Sequence, residues 1–514
     1  MTTTNLWRRR LLTASSLLAL GVFSSSAAQA LTLKEVASYS ANLFDESAAE
    51  IVVYQPARQE LYVVNGSTPS VDVLSFDGES LKLTTKLPLA QSEEPTSVAV
   101  HGDLIAVAVH DASRDDLQGK VVFFNTDRKR LGEVMAGALP DMVTFTPDGK
   151  TVLVANEGEQ TDDMDPAGTI SVIDVRNGVA AARVRHAGFG DFDAGALKKA
   201  GVRLLPGKQP AEDLEPEFIT VSDDSRTAWI SLQENNALAV LDIKSATVTN
   251  ILPLGLKDHS KEGQGIDPHD KDGDNIGLHK IVGMYMPDGI TSMTYQGKTF
   301  ILTANEGDAR EEDLKAKKAT FDSKAYSSKD VEALGKIRVS TIDGDTDGDG
   351  DIDLAHVYGG RSFSIYDEDG KQVFDSGDDF ERITARALGQ FFNSDNDEAN
   401  SGDKRSDNKG PEPEGVVVGE HNGKTYAFIG LERVGGIMIY DVSNPYAPVF
   451  QDYVNTRNFS SSFDFVNLAD VKRAGPLGPE GLAFVPAKDS PTGKPLLMVA
   501  YEVSGTVKVF ELVE

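Results

Sequence analysis

The chain has 514 residues, no cysteine, and 80 acidic against 50 basic side chains, a formal net charge of −30. The missing cysteines exclude a disulfide scaffold, a thiolate zinc site and a cysteine nucleophile. The acidity argues against nucleic acid as a partner, because phosphate contacts need clustered Lys and Arg, and favours cations or a surface that stays soluble outside a cell.

The chain opens with the features of an export signal. Arg8, Arg9 and Arg10 form a basic start, residues 11–23 an apolar run, and Ala28-Gln29-Ala30 a small-residue cleavage motif. Residues 1–30 therefore read as a signal peptide, by the general secretory or the twin-arginine route. No later run is long and apolar enough to be a transmembrane helix. The expected location is periplasmic or secreted, and with no sorting tail after Glu514 the mature protein is expected to be soluble.

Residues 31–514 are expected to form one domain. Residues 31–39 read as a single spare strand. After them, short apolar or alternating runs punctuated by Gly, Asn and Asp dominate, and amphipathic helical periodicity is scarce. The runs recur as a unit. In one copy Pro140-Asp141 leads into residues 142–146, the turn Pro147-Asp148-Gly149-Lys150, residues 151–155, Asn156-Glu157, and two further runs at 169–175 and 180–184. The same order starts at Pro95, Pro216, Pro287, Pro413 and Pro479, with a weaker first copy from Glu50. Undisturbed copies recur at roughly 40–45 residues, the period of propeller blades. The sequence thus predicts an all-β, seven-bladed β-propeller, over a pair of two-sheet sandwiches. The spare strand would close the ring by pairing with residues 506–512.

In such a meander the start of the first strand and the end of the second lie at one end of the blade. That places Asp141 with Glu157, Glu217 with Glu234, Asp288 with Glu306, Glu414 with Glu432 and Glu480 with Glu502, around one mouth of the channel. Either backbone N–H groups satisfy each acid separately, or converging carboxylates share cations. Glu306, Glu414 and Glu480 are accordingly candidate ligands for a divalent metal at the mouth. Long insertions at about 255–280, 307–361 and 380–410 fall at the same end, the side of a rigid scaffold where function concentrates.

The second of these insertions carries alternating acids at Asp343, Asp345, Asp347, Asp349, Asp351 and Asp353, with Gly350 to fold the backbone. This suits Ca²⁺, which takes six to eight oxygen ligands. Position twelve of an EF-hand would be His356 rather than Glu, which favours a dockerin-like loop; a disordered acidic linker is the bland alternative. Asp267, Asp270, Asp272 and Asp274 form a second, shorter candidate. Arg310, Arg361 and Arg405 lie among these acids. They could clamp a phosphoryl oxygen beside a metal-activated water, or balance the acidic rim.

At TANEGDAR (303–310), DKDGDNIG (270–277), GMYMPDGI (283–290), DGDTDGDGDID (343–353), RSFSIYD (361–367) and RSDNKGPEPEGV (405–416) the chain resembles the choice-of-anchor I family. That resemblance implies an exported, calcium-binding propeller similar to an animal mesenchyme-specific cell-surface glycoprotein. Members often carry the label alkaline phosphatase. The sequence reading favours a calcium-binding extracytoplasmic binding or surface module. The alternative is a metal-dependent phosphatase or phosphodiesterase at the acidic mouth, acting on a phosphate ester.

Overall fold

The computed structural model describes residues 30–310, 312–460 and 467–514, so the expected signal peptide lies almost wholly outside the described residues. Among the described residues, seven four-stranded antiparallel sheets follow one another along the chain. Their innermost strands begin at Val52, Glu93, Pro140, Ile219, Ile290, Pro413 and Pro479. Each innermost strand touches that of the next sheet, and the seventh touches the first, closing a ring. The molecule is a β-propeller.

The last sheet takes three strands from the C-terminal end, Pro479–Val485, Leu496–Tyr501 and Thr506–Val513, and a fourth, Thr32–Ser40, from the N-terminal end. Thr32 pairs with Val513 and Ser40 with Thr506, so the spare strand latches the ring as expected. This removes an open edge within the last sheet.

Position in the blade explains the strand sequences. The second strands, such as Glu60–Asn65, Thr151–Asn156 and Leu496–Tyr501, are buried at every residue because neighbouring sheets cover both faces. They therefore read as continuous apolar runs. Outer strands such as Leu81–Pro88 have mostly exposed residues and are polar. The turn Pro147-Asp148-Gly149-Lys150 needs its glycine: φ is +67°, and a Cβ there would lie 2.3 Å from the His101 ring.

The insertions, expected as loops, build a cap with a core of its own. Leu256–Asp258 pairs antiparallel with Val282–Met284, which pairs in parallel with His356–Tyr358 from the second insertion. Asp313–Lys315 pairs with Arg338–Ser340. Ile266, Ile281, Tyr326, Leu334, Ile337, Val339 and Val357 pack together beneath them. The helix Asp379–Leu388 joins the cap to the ring, burying Phe380 beside Phe363 and Tyr440.

Candidate functional site

The channel mouth is built by a repeated irregularity. In the third, sixth and seventh sheets the ladder slips by one residue between Pro140 and Val143, Pro413 and Val416, and Pro479 and Leu482. Each slip holds Asp141, Glu414 or Glu480. A bulge re-aims a side chain, and these three acids all line the central cavity, together with Glu217 and Asp288. The glycine after the acid lets adjacent sheets close up. A Cβ at Gly289 would lie 2.4 Å from the Glu414 carbonyl oxygen, and one at Gly415 would lie 2.2 Å from that of Glu480. One at Gly481 would lie 2.3 Å from the Glu50 carbonyl oxygen, and the Gly481 N–H donates to that oxygen at 3.1 Å.

At the end of the second strand the Asn-Glu pair divides its work. Asn156 accepts from the Gly137 N–H at 2.9 Å and donates to the Ser171 hydroxyl at 2.9 Å, and Asn305 donates to Ser362 and Ser364. The asparagine ties strands together, and the glutamate beside it is left for the mouth. Several of these acids converge at the mouth.

Among the described residues three groups of carboxylates have oxygens within 4.8 Å of one another at this mouth: Glu157 with Glu217 and Glu234, Asp288 with Glu306 and Glu414, and Glu306 with Glu412 and Glu432. Burial pushes Glu157, Glu217, Glu234, Asp288 and Glu414 up, with help from neighbouring carboxylates. Glu157 rises to about 9, Asp141 to about 7, and Glu50 and Glu432 to about 8. Glu217, Asp288, Glu414 and Glu480 rise well above the usual carboxylate range. Glu414 Oε2 and Glu480 Oε2 are buried without a hydrogen-bond partner among the described residues. Of the predicted mouth ligands, Glu306 and Glu414 come together, while Glu480 stands apart, beside Glu50 and Glu502.

Cations from the cap and rim serve one side of the mouth. Arg310 reaches Asp213 at 3.2 Å, Glu234 at 3.3 Å, and Glu215. Lys409 lies 2.6 Å from Glu306 and 3.0 Å from Glu412, and Arg433 lies 3.1 Å from Glu432. Burial would raise Glu412, but Lys409, Arg405 and Arg433 hold it down at about 2. The sequence reading missed Glu215 and the role of Glu412, each of which immediately precedes the Pro that opens its copy of the repeat.

The three predicted phosphate-clamping arginines are all engaged. Arg310 is described above. Arg361 is buried against Glu381 and donates to the Asp267, Ser406 and Asn408 carbonyls at 3.2, 2.8 and 2.8 Å. Arg405 pairs with Glu412. They balance buried acids and fasten the cap. Glu381, absent from the sequence reading, is the partner that holds Arg361.

In the aspartate loop, Asp345, Asp347 and Asp353 bring carboxylate oxygens within 4.8 Å of one another. Asp345 accepts from the Gly348 and Gly350 N–H groups at 2.7 and 3.0 Å, and the loop is tied to the cap through an Ile352–Phe321 bridge. Asp349 accepts from the Asp351 N–H at 3.3 Å, and Asp351 Oδ1 is buried without a partner. An oxygen-lined, partly unsatisfied turn of this kind fits a hard cation. Asp343 departs from the expectation: it receives hydrogen bonds from Arg203 at 2.8 Å and Ser340 at 2.7 Å, outside the cluster. The shorter candidate disperses. Asp267 accepts backbone N–H groups from His269 and Asn275, Asp270 pairs with Lys336 at 2.5 Å, and Asp272 accepts from the Asn275 amide.

Comparison with known proteins places this geometry. Gigasin-3a from Magallana gigas is 32% identical over 190 residues, 35% of this chain and 64% of its own length. The mesenchyme-specific cell surface glycoprotein of Strongylocentrotus purpuratus is 25% identical over 299 residues, 49% of this chain and 38% of its own length. The chain thus spans less than two thirds of either relative. Among solved structures, hydrazine synthase of Kuenenia stuttgartiensis covers 91% of this chain and 97% of its own, with a TM-score of 0.44 at 16% identity. A streptogramin B lyase covers 94% and 98%, with a TM-score of 0.46 at 10% identity. Residues 50–445 match the choice-of-anchor I domain, which takes in the Glu50 to Glu432 arc of the acidic mouth and all three cap insertions; the chain belongs to the choice-of-anchor I family.

Proposed function

We propose that the protein is an exported cation-binding surface module. One Ca²⁺ would sit in the cap loop, held by Asp345, Asp347, Asp349, Asp351 and Asp353. A second divalent cation would sit in the mouth at Asp288, Glu306 and Glu414. The observation that carries this reading is the mouth triad. Its three carboxylates have oxygens within 4.8 Å of one another, and Glu414 Oε2 is buried without a partner. Charges that close repel strongly unless a proton or a cation intervenes. Lys409 serves Glu306 alone among the three. The cell-surface name of one relative supports the extracytoplasmic location. The engagement of Arg310, Arg361 and Arg405 favours binding over phosphoester hydrolysis, since each guanidinium already has carboxylate or carbonyl partners.

Metal analysis and calorimetric titration of dialysed protein with CaCl₂ test this. Two sites are expected per chain. Glu414→Gln should remove the mouth site and Asp345→Asn with Asp347→Asn the loop site, each lowering the stoichiometry by one. Unchanged stoichiometry in both variants overturns the reading, as does chelator-sensitive hydrolysis of an aryl phosphate by the folded protein.

A further inference from the structure

The mouth opens into a cavity of about 680 Å³ that runs along the inner strands of the first, second, third, sixth and seventh sheets. Its two ends differ in chemistry. At the mouth stand Asp141, Glu217, Asp288, Glu414 and Glu480; beyond them the wall includes Val53, Val100, Leu482 and Phe484. These four side chains are partly buried and packed against the adjoining cores. A bare divalent ion gains nothing from these four side chains, which offer it no oxygen.

The acids above that wall also differ from the triads. Glu50, Glu480 and Glu502 influence one another, yet no group of three carboxylates within 4.8 Å among the described residues includes any of them. None of the three, nor Asp141, makes an ion pair among the described residues, although Glu502 accepts a hydrogen bond from Ser47 at 2.8 Å. Glu480 Oε2 is buried with no partner at all among the described residues. Spaced acceptors with a spare buried oxygen suit a donor larger than a metal ion. An ammonium carries three N–H donors, and an attached alkyl chain gains free energy with each methylene buried.

Resting on the reading of the mouth as a cation site, we propose that the channel holds a second, distinct ligand there, an aliphatic ammonium. Glu480 at the cavity mouth receives its charged head, with Glu50 beside it where the Gly481 N–H meets the Glu50 carbonyl, and Val53, Val100, Leu482 and Phe484 enclose its tail. The divalent ion, at the fifth and sixth sheets, and the ammonium, at the seventh and first, then occupy neighbouring arcs of one ring. The inner strand Pro479–Val485 gives the sleeve its length, at roughly 3.3 Å per residue.

The test uses n-octylammonium chloride titrated calorimetrically into calcium-saturated protein. One saturable site is expected. n-Butylammonium should bind at least tenfold more weakly, since each lost methylene lowers affinity by roughly fourfold. Octanoate should not bind, and octanol should bind at least about tenfold more weakly. Glu480→Gln and, separately, Leu482→Thr should each weaken octylammonium by about tenfold or more, with circular dichroism unchanged. Glu50→Gln supplies a second head-group variant should either fail to fold. Equal binding of octanoate, no binding to calcium-loaded protein, or indifference to the Glu480 and Glu50 substitutions overturns the proposal. One-for-one displacement of Ca²⁺ by octylammonium overturns it too, since the two would then share a site. Glu306→Gln separates the two readings: Glu306 belongs to the calcium triad but does not line the cavity, so the substitution should abolish the mouth calcium while saturable octylammonium binding persists.

Discussion

Beneath the cap, the acids of the channel mouth meet cations on short leads: Arg310 on Glu215 and Glu234, Lys409 on Glu306, Arg433 on Glu432. On the other arc Asp141 and Glu480 line the same channel and Glu50 lies beside Glu480, yet no Lys or Arg pairs with them among the described residues. One repeat, with acids at the start of its first strand and the end of its second, thus serves two electrostatic ends. Where the insertions descend, the acids become anchor points for the cap. Where they do not, the acids remain available to something from solution.

Substitutions that act on one arc and spare the other can break this division. Arg361→Met should have the largest effect, because it leaves Glu381 as a buried, unpaired charge and frees three carbonyls. A loss of about 3–5 kcal/mol is expected. It should appear as lost amide protection in residues 266–277 and 380–410, with protection retained in Thr151–Asn156 and the other buried ring strands. Uniform loss of protection across ring and cap would show that the two are one cooperative unit. Gly415→Ala should come next, at about 1–3 kcal/mol, since its Cβ would collide with the Glu480 carbonyl oxygen at 2.2 Å and push the sixth and seventh sheets apart. Chemical denaturation measures it, and an unchanged midpoint would mean that the close approach of these strands is dispensable.

The smallest effect is that of pH on metal-free protein. Asp141 and Glu432 are pushed up to about 7 and about 8 by burial, well above an unfolded carboxyl near 4. The native state therefore binds more protons than the unfolded one above about pH 4, and stability falls as pH rises from about 5 to 8. Asp141 is partly exposed, which tempers the size of that fall. The melting temperature in chelator should decline over this range and recover on adding CaCl₂. A rise with pH would mean that the acids are ionised and satisfied without a cation.

The repeat made much of the ring legible. Each Pro-acid start and Asn-Glu end carries a local cue, and residues 31–39 announced a strand without a hairpin partner. The cap was opaque for a physical reason. Val282–Met284 and His356–Tyr358 pair in parallel across a long insertion, and no turn signal joins them. The alternating aspartates marked the loop, but Asp343 belongs to Arg203, a partner brought in from 140 residues away by the fold alone. Arg361 looked like a ligand-binding group because its partner Glu381 lies on the helix Asp379–Leu388, in a segment read as an extended insertion. Convergence of acids follows from strand order; which acids find a cation depends on tertiary placement.

The strand Thr32–Ser40 finds its partner only in Thr506–Val513. A ribosome working at about 5–20 residues per second needs on the order of half a minute to a minute and a half between making the two. Throughout that interval the circle is a broken one, with a sticky strip of backbone at its leading end and nothing to seal it. Closure therefore waits until both strands have been made, and any factor that shields the first strand sets the clock for it.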